Sequence, residues 1–360
     1  MKIFITCRYL GGGGAERVAV NLAHGFLSRG HEVFCIADLN NHRSYNIDER
    51  IHLLELHQSE ASKPKIVMQA IANIRKYAKM YQPDLIIGFM HFCSLASKVG
   101  TIGLNIPVIQ TIHHALESDT YKFSPLTVWM DRHTCPLYFK TILLTHADKK
   151  VLTKWDYKTL VIPNPLSYTP NGDFSKKENV ILAAGRLDDW HYKGWDILIK
   201  TAHEIKDFLK ENGWKILIAG NGNEETRKML CEMQKEYGVE EVVSFIGYQK
   251  DMLSLYGKAS IFLLSSRSEG LPMVLLEAMS QGCACVATDF KGRTREIITN
   301  DQEGLLALPE DYVQLSFHLK ELIGDKKKRE MIQKNAVERS KYYSLDHVVD
   351  MWENLFHLIQ

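Results

Sequence analysis

Short apolar runs alternate with longer stretches of helical periodicity along most of this chain. In the first half, Lys2–Thr6, Glu32–Ala37, Leu85–Phe89, Val108–Ile112, Thr141–Thr145 and Thr159–Ile162 have the length of buried strands. Between them, Ala15–Ser28 and Lys65–Tyr81 repeat apolar residues at helical spacing. Such alternation predicts an α/β fold with a parallel sheet covered by helices on both faces. The pattern breaks at Pro163-Asn164-Pro165, Pro170-Asn171-Gly172 and Lys176-Lys177-Glu178-Asn179, a polar stretch rich in turn residues. It restarts with strands Val180–Ala184, Lys215–Ala219, Val242–Ile246 and Ile261–Leu264 and helices Trp195–Leu209 and Glu224–Tyr237. Two doubly wound, Rossmann-like domains facing each other across a cleft are therefore expected, residues 1–168 and 169–342. A last helix over Leu345–Ile359 carries apolar residues at 345, 348, 349, 352, 355, 356 and 359.

Candidate chemistry concentrates at the ends of the second-half strands. After Ser260–Leu264 the chain reads Ser266-Arg267-Ser268-Glu269-Gly270-Leu271-Pro272 and enters a helix that carries Glu277 and stops near Gly282. Pro272 suits a first helical turn, because its missing N–H has no partner to lose there. The N–H groups of that turn attract an anion, and a carboxylate further along accepts bonds from a vicinal diol. Phosphate plus diol describes a nucleotide. A countercharge follows the strand ending at Gly185: Arg186 at its mouth and Lys193 seven residues on. A guanidinium fork and an ammonium point charge together suit a diphosphate.

Weaker signals surround these. Gly11-Gly12-Gly13-Gly14 follows the first strand and opens a helix, where a bare backbone admits a ligand closely. It lacks the third glycine of a dinucleotide fingerprint, and an NAD reading leaves Arg186, Lys193, Glu269 and Glu277 without a role. His113 and His114 come directly after a strand, as does His91, where α/β sheets place ligands. Each also fits a satisfied structural histidine. Gly222 lies in a strand-to-helix turn, and Tyr248 follows another strand as a candidate for base contact or a plain surface tyrosine.

On these motifs the chain resembles the retaining glycosyltransferases of family 4, which have the GT-B fold, and within it bacterial enzymes that extend lipid-linked glycans. Gly13-Gly14-Ala15-Glu16 looks like the family's glycine loop and Pro163-Asn164 like its interdomain Pro-Asn. Gly185-Arg186-Leu187 with Lys193-Gly194 is similar to its diphosphate site, and Glu269 to Glu277 to its paired glutamates. The resemblance implies transfer of a hexose or N-acetylhexosamine from a UDP-linked donor to a glycan hydroxyl. It implies that Arg186, Lys193, Glu269 and His113 are catalytic, with His91 and His114 on the acceptor side. Donor contacts fall to Gly13, Gly14, Gly185, Gly222, Tyr248, Gly270, Leu271 and Glu277. The helix at about 343–360 is expected to cross back to the first domain. A sugar-nucleotide epimerase on the same fold, or a non-catalytic nucleotide-sugar-binding protein, stays open as the alternative.

Composition changes the picture in three places. Hydrophobic content of 45% and charged content of 24% are those of a soluble globular protein, and no apolar run reaches the roughly 20 residues of a membrane span. No signal peptide is read at the N-terminus, so a cytoplasmic protein is expected, peripheral on the inner membrane. The seven cysteines are scattered and contain no C-x-x-C, and no D-x-D occurs, so no metal cofactor is expected. Finally, the net charge of +1 divides unevenly. Residues 1–165 hold 19 Lys/Arg against 13 Asp/Glu, whereas residues 166–360 hold 25 against 30. A basic first half suits an anionic partner, either substrate phosphate or a membrane surface. Residues 61–81 alone carry Lys63, Lys65, Arg75, Lys76 and Lys79 with no acid. The aromatic stretch Tyr121–Tyr138 is a second candidate contact with that surface, and no nucleic-acid partner is expected.

Overall fold

The computed structural model describes residues 1–11, 13–40, 45–58, 62–117 and 124–359. Gly12, Tyr121, Phe123 and Gln360 lie outside the described residues, as does the side chain of Lys63. The chain divides into two compact units. The first is built from residues up to Glu117, a segment ending at Ser167, and the C-terminal stretch from Leu345; the second runs from Tyr168 to Ser344.

The first unit holds a parallel sheet in the order β3-β2-β1-β4-β5-β6-β7. Its strands are β1 Lys2–Thr6, β2 Glu32–Ala37, β3 His52–Glu55, β4 Leu85–Phe89, β5 Val108–Thr111, β6 Lys140–Leu143 and β7 Thr159–Val161. Strands β1 and β4 are buried along nearly their whole length, which is why they read as unbroken apolar runs. The edge strand β3 is only half-buried and has no such run. The second unit repeats the design with β10-β9-β8-β11-β12-β13. Here β8 is Glu178–Ala184, β9 Lys215–Ala219, β10 Val243–Gly247, β11 Ala259–Leu264, β12 Ala284–Thr288 and β13 Leu305–Ala307. In each sheet the strand order reverses once, between β1 and β4 and between β8 and β11. Loops at the carboxyl ends of strands flanking such a reversal diverge and leave a crevice, where ligands bind.

The helix Leu345–Phe356 packs on the first unit. Val348, Val349, Trp352, Leu355 and Phe356 are buried in the core beside helix Gly14–Ser28, five of the seven positions whose spacing marked the helix. Arg29 pairs with Asp350 at 2.6 Å and His31 with Glu353 at 3.0 Å along its flank. Six of the seven cysteines are buried free thiols, and Cys231 is exposed.

Candidate active site

The second unit's crevice brings Lys193 and Glu269 together. Lys193 follows β8 and Glu269 follows β11, the two strands at the reversal; Lys193 Nζ donates to Glu269 Oε1 at 2.6 Å. Ser266 Oγ donates to the same oxygen at 2.8 Å. Two glycines make this approach possible. A Cβ on Gly185 would come within 3.3 Å of the Lys193 methylenes, so its absence leaves a channel for that side chain. Gly194 has φ +66°, and a Cβ there would lie 2.0 Å from the Ser265 carbonyl oxygen. Only glycine permits that left-handed turn against the neighbouring loop. Ser265 Oγ then donates to the Lys193 carbonyl at 3.1 Å.

Arg267, inside the same stretch, fastens the Lys193 loop to the sheet. Its guanidinium makes two 2.7 Å bonds to the Asp196 carboxylate, reaches the Glu310 carboxylate, and donates to the His191 carbonyl at 2.7 Å. Its backbone N–H donates to the Tyr192 carbonyl at 2.9 Å. The sequence singled out the stretch but gave Arg267 no task; the charge between two serines was the available signal. Tyr192 stands beside the pair: the Lys193 ammonium lies 5.6 Å from its ring centre. Burial, then the neighbouring Glu269 carboxylate, pushes its phenol far up, so it stays protonated.

Glu277 is buried on helix Met273–Ser280 and accepts from the Tyr256 hydroxyl at 3.1 Å. Burial and the Glu277 carboxylate raise the Tyr256 phenol well above its ordinary range, so this bond keeps its direction. A carboxylate has further lone pairs for a diol. The helix begins at Met273, after the proline that the sequence placed in its first turn. Pro272 is its N-cap at φ −73° and ψ 91°, not a first-turn residue, and its carbonyl accepts from Leu275 N–H at 3.0 Å. Gly270 and Leu271, both buried, lead into this start.

Other expected residues stand apart. The Arg186 side chain is 81% exposed and pairs with Asp189 at 2.8 Å, not with Glu269. Tyr248 is 72% exposed. Gly222 packs on Leu187 and Asp188, where a Cβ would come within 2.7 Å.

In the first unit, Gly13 caps helix Gly14–Ser28, and its carbonyl accepts from the Tyr45 hydroxyl at 3.0 Å. His113 lies past β5 and stacks on Phe89 at 4.9 Å. Its Nε2 is 2.8 Å from Thr111 Oγ1, whose own proton goes to the Gly88 carbonyl. Nε2 must therefore donate, which leaves Nδ1 as the ring's acceptor. Burial, then His114, lowers this imidazole to about 3 against a weaker opposite push from Asn164, so it is neutral at working pH. His91 and His114 both turn to Asp131, at 2.6 and 3.0 Å. Burial opposes the charge on Asp131, but the two imidazoles outweigh it and hold the carboxyl below its ordinary range.

Two family models together span almost the whole chain: "Glycosyltransferase Family 4" matches residues 12–169 and "Glycosyl transferases group 1" matches residues 168–339. Among curated proteins, the chain is 27% identical to a Campylobacter jejuni α-1,4-N-acetyl-D-galactosaminyltransferase acting on an undecaprenol-diphosphate-linked glycan. That likeness covers 99% of this chain and 98% of the relative. Solved structures give the same fold. TarM superposes with a TM-score of 0.81 at 14% identity, over 99% of this chain and 98% of its own. Anabaena HepE in complex with UDP superposes at 0.81 and 18% identity, over 99% and 100%. The two Rossmann-like units, each with its charged or imidazole-lined crevice, are those of a GT-B enzyme, and the chain belongs to glycosyltransferase family 4.

Proposed function

We propose that this enzyme moves a hexose or N-acetylhexosamine from a UDP-linked donor to a hydroxyl of a lipid-linked glycan, with retention, in surface polysaccharide or glycan synthesis. The Lys193–Glu269 pair carries the reading. It sits at the strand reversal of the second sheet, within one loop of the helix that bears Glu277. An ammonium that gives one proton to Glu269 has two more for the diphosphate. The acceptor hydroxyl attacks the anomeric carbon as the bond to the diphosphate oxygen breaks. The departing diphosphate takes that electron pair and then the hydroxyl proton. Lys193, Arg186 and the helix start oppose the charge growing on it. Glu269, held by Lys193 and Ser266, positions the sugar and is a poor nucleophile, which favours a front-face course over a double displacement. With no D-x-D in the sequence, these groups neutralise the diphosphate without a metal. His113 Nδ1 accepts from a sugar hydroxyl. The C. jejuni relative's undecaprenol-linked substrate and the UDP bound by HepE support the acceptor and donor classes.

Calorimetry with UDP, GDP and ADP tests the donor, and UDP should bind tightest. Glu277→Gln removes a charge-assisted bond worth roughly 1.5–3 kcal/mol, so UDP affinity should fall about ten- to a hundredfold. Unchanged affinity in the folded variant rejects the ribose role. With UDP-sugar and no acceptor, slow hydrolysis supports transfer, whereas an epimerised sugar nucleotide replaces this reading with an epimerase.

A further inference from the structure

Three side chains from three elements converge at the carboxyl edge of the first unit's sheet. His91 lies in the first turn of helix Met90–Gly100, His114 in the loop after β5, and Asp131 on helix Pro125–His133. One potential ligand atom from each falls within 4.8 Å of the others. The His114 contact to Asp131 Oδ2 is a hydrogen bond of 3.0 Å. The His91 contact is different. Its Nε2 is only 2.6 Å from Asp131 Oδ1, an ion-pair distance, yet among the described residues neither atom meets hydrogen-bonding geometry, and both are sealed from solvent. Asp131 is 4% exposed. Buried polar atoms this close without hydrogen-bonding geometry are rare and need a cause. Met90, next to His91, has φ +62°, a left-handed conformation that non-glycine residues seldom hold and that clusters at functional sites.

We propose that His91, His114 and Asp131 bind a divalent cation of borderline character, zinc foremost. Two imidazoles and one carboxylate suit zinc and its transition-metal neighbours, whereas magnesium and calcium take oxygen ligands. Three protein ligands leave a fourth position for water or a substrate oxygen. The next layer of residues fits. Gln110 faces His91 Nδ1 at 3.2 Å and accepts from Thr141 Oγ1 at 3.2 Å. Turning this amide end for end preserves both bonds, because a hydroxyl donates as well as accepts. Gln110 Oε1 then accepts from His91 Nδ1–H and leaves the Nε2 lone pair for the ion, the usual orientation of a ligating histidine. Cys135 is no ligand: its thiol turns to the Asp131 backbone carbonyl at 3.7 Å. The ion ties the ends of β4 and β5 to helix Pro125–His133, next to His113. This inference does not depend on the proposed donor or acceptor.

The test is metal content of the whole chain after chelator treatment, dialysis and re-exposure to zinc or cobalt(II). Wild type should retain about one zinc per chain through gel filtration. Its cobalt form should show visible absorption without a thiolate charge-transfer band, which separates this site from the exposed Cys231. Asp131→Asn and His91→Gln should each lose that ion, and zinc should raise the melting temperature of wild type but not of the variants. Zinc retained equally by Asp131→Asn, a thiolate band, or no uptake by wild type overturns the proposal. Should both variants fail to fold, the wild-type cobalt spectrum alone decides it.

Discussion

The two crevices of this enzyme share a topology and differ in chemistry. Both lie where a parallel sheet reverses its strand order, β1/β4 in one unit and β8/β11 in the other. At the second unit's crevice an ammonium and a carboxylate meet at 2.6 Å, with a second buried carboxylate, Glu277, on the adjoining helix. At the first unit's crevice the reactive groups are imidazoles around a single carboxylate, and His113 is held neutral. Formal charge lines bind a ligand that is itself charged and changes charge during reaction, as a leaving diphosphate does. The neutral imidazole of His113 pairs with a sugar hydroxyl without the desolvation cost of a further buried charge beside Asp131. The fold thus supplies the location, and the residues at the strand ends decide which part of a reaction each location serves.

The comparison breaks most sharply at Lys193. Lys193→Ala should lower kcat about a hundred- to a thousandfold, as loss of one preorganised donor to a developing anion does elsewhere. UDP affinity should change far less, because the diphosphate gains its extra charge only in the transition state. The substitution also leaves Glu269 without its cation, so Lys193→Ala/Glu269→Gln should recover stability but not turnover. Stopped assays beside UDP calorimetry read both quantities. Equal losses in affinity and kcat would make Lys193 a uniform binding contact and remove the distinction between the crevices.

His113 gives the matching test on the other side. His113→Ala removes one neutral hydrogen bond, worth about 0.5–1.5 kcal/mol, so activity should fall roughly two- to tenfold. UDP alone should bind as before, since the ring faces sugar and not nucleotide. Weaker UDP binding with intact sugar selectivity would place His113 at the nucleotide instead.

What the sequence revealed follows the same division. Buried parallel strands are apolar on both faces, so β1, β2, β4, β8, β9 and β11 were legible as runs. The strand β3, a half-buried edge, and β13, three residues long, carry too little apolar surface to stand out. Helix Met90–Gly100 was missed because it begins directly at the end of β4, with no polar linker to mark the change. Within the second crevice the spacing of Glu269 and Glu277 identified both carboxylates. Arg267 with Asp196, and Tyr256 with Glu277, are pairs 71 and 21 residues apart in sequence, and no local pattern encodes them. The Asp131 cluster is hidden for the same reason: a lone aspartate on an exposed helix meets histidines 40 and 17 positions earlier only once the sheet has formed.

The smallest effect belongs to the outer surface, where the charge difference between the halves has its proposed purpose. Among the described residues no helix is long and apolar enough to cross a membrane. On helix Lys63–Tyr81, Ala70, Ile74 and Ala78 are buried against the sheet, while Lys65, Lys76 and Lys79 are exposed beside Val67, Met68 and Met80. Arg75 departs from the expected outward set. It donates to the carbonyls of Gly100 and Ile102 at 3.1 and 2.8 Å and closes the end of the neighbouring helix, so replacing it would disturb the fold. On helix Pro125–His133, Leu126 and Trp129 are more than half exposed, with His133 stacked on the indole. Lysines near an anionic leaflet contribute about 1 kcal/mol each, so Lys76→Gln and Lys79→Gln should each weaken vesicle binding about fivefold. Flotation with anionic and neutral vesicles measures it. Binding to the anionic set should fade as salt rises, because screening shortens the reach of exposed charge. Trp129→Ala should weaken binding at all salt concentrations, since its contribution is apolar. Equal flotation with neutral and anionic vesicles would show that the basic first half serves only the substrate's phosphates, and would confine the contrast between the two units to their crevices.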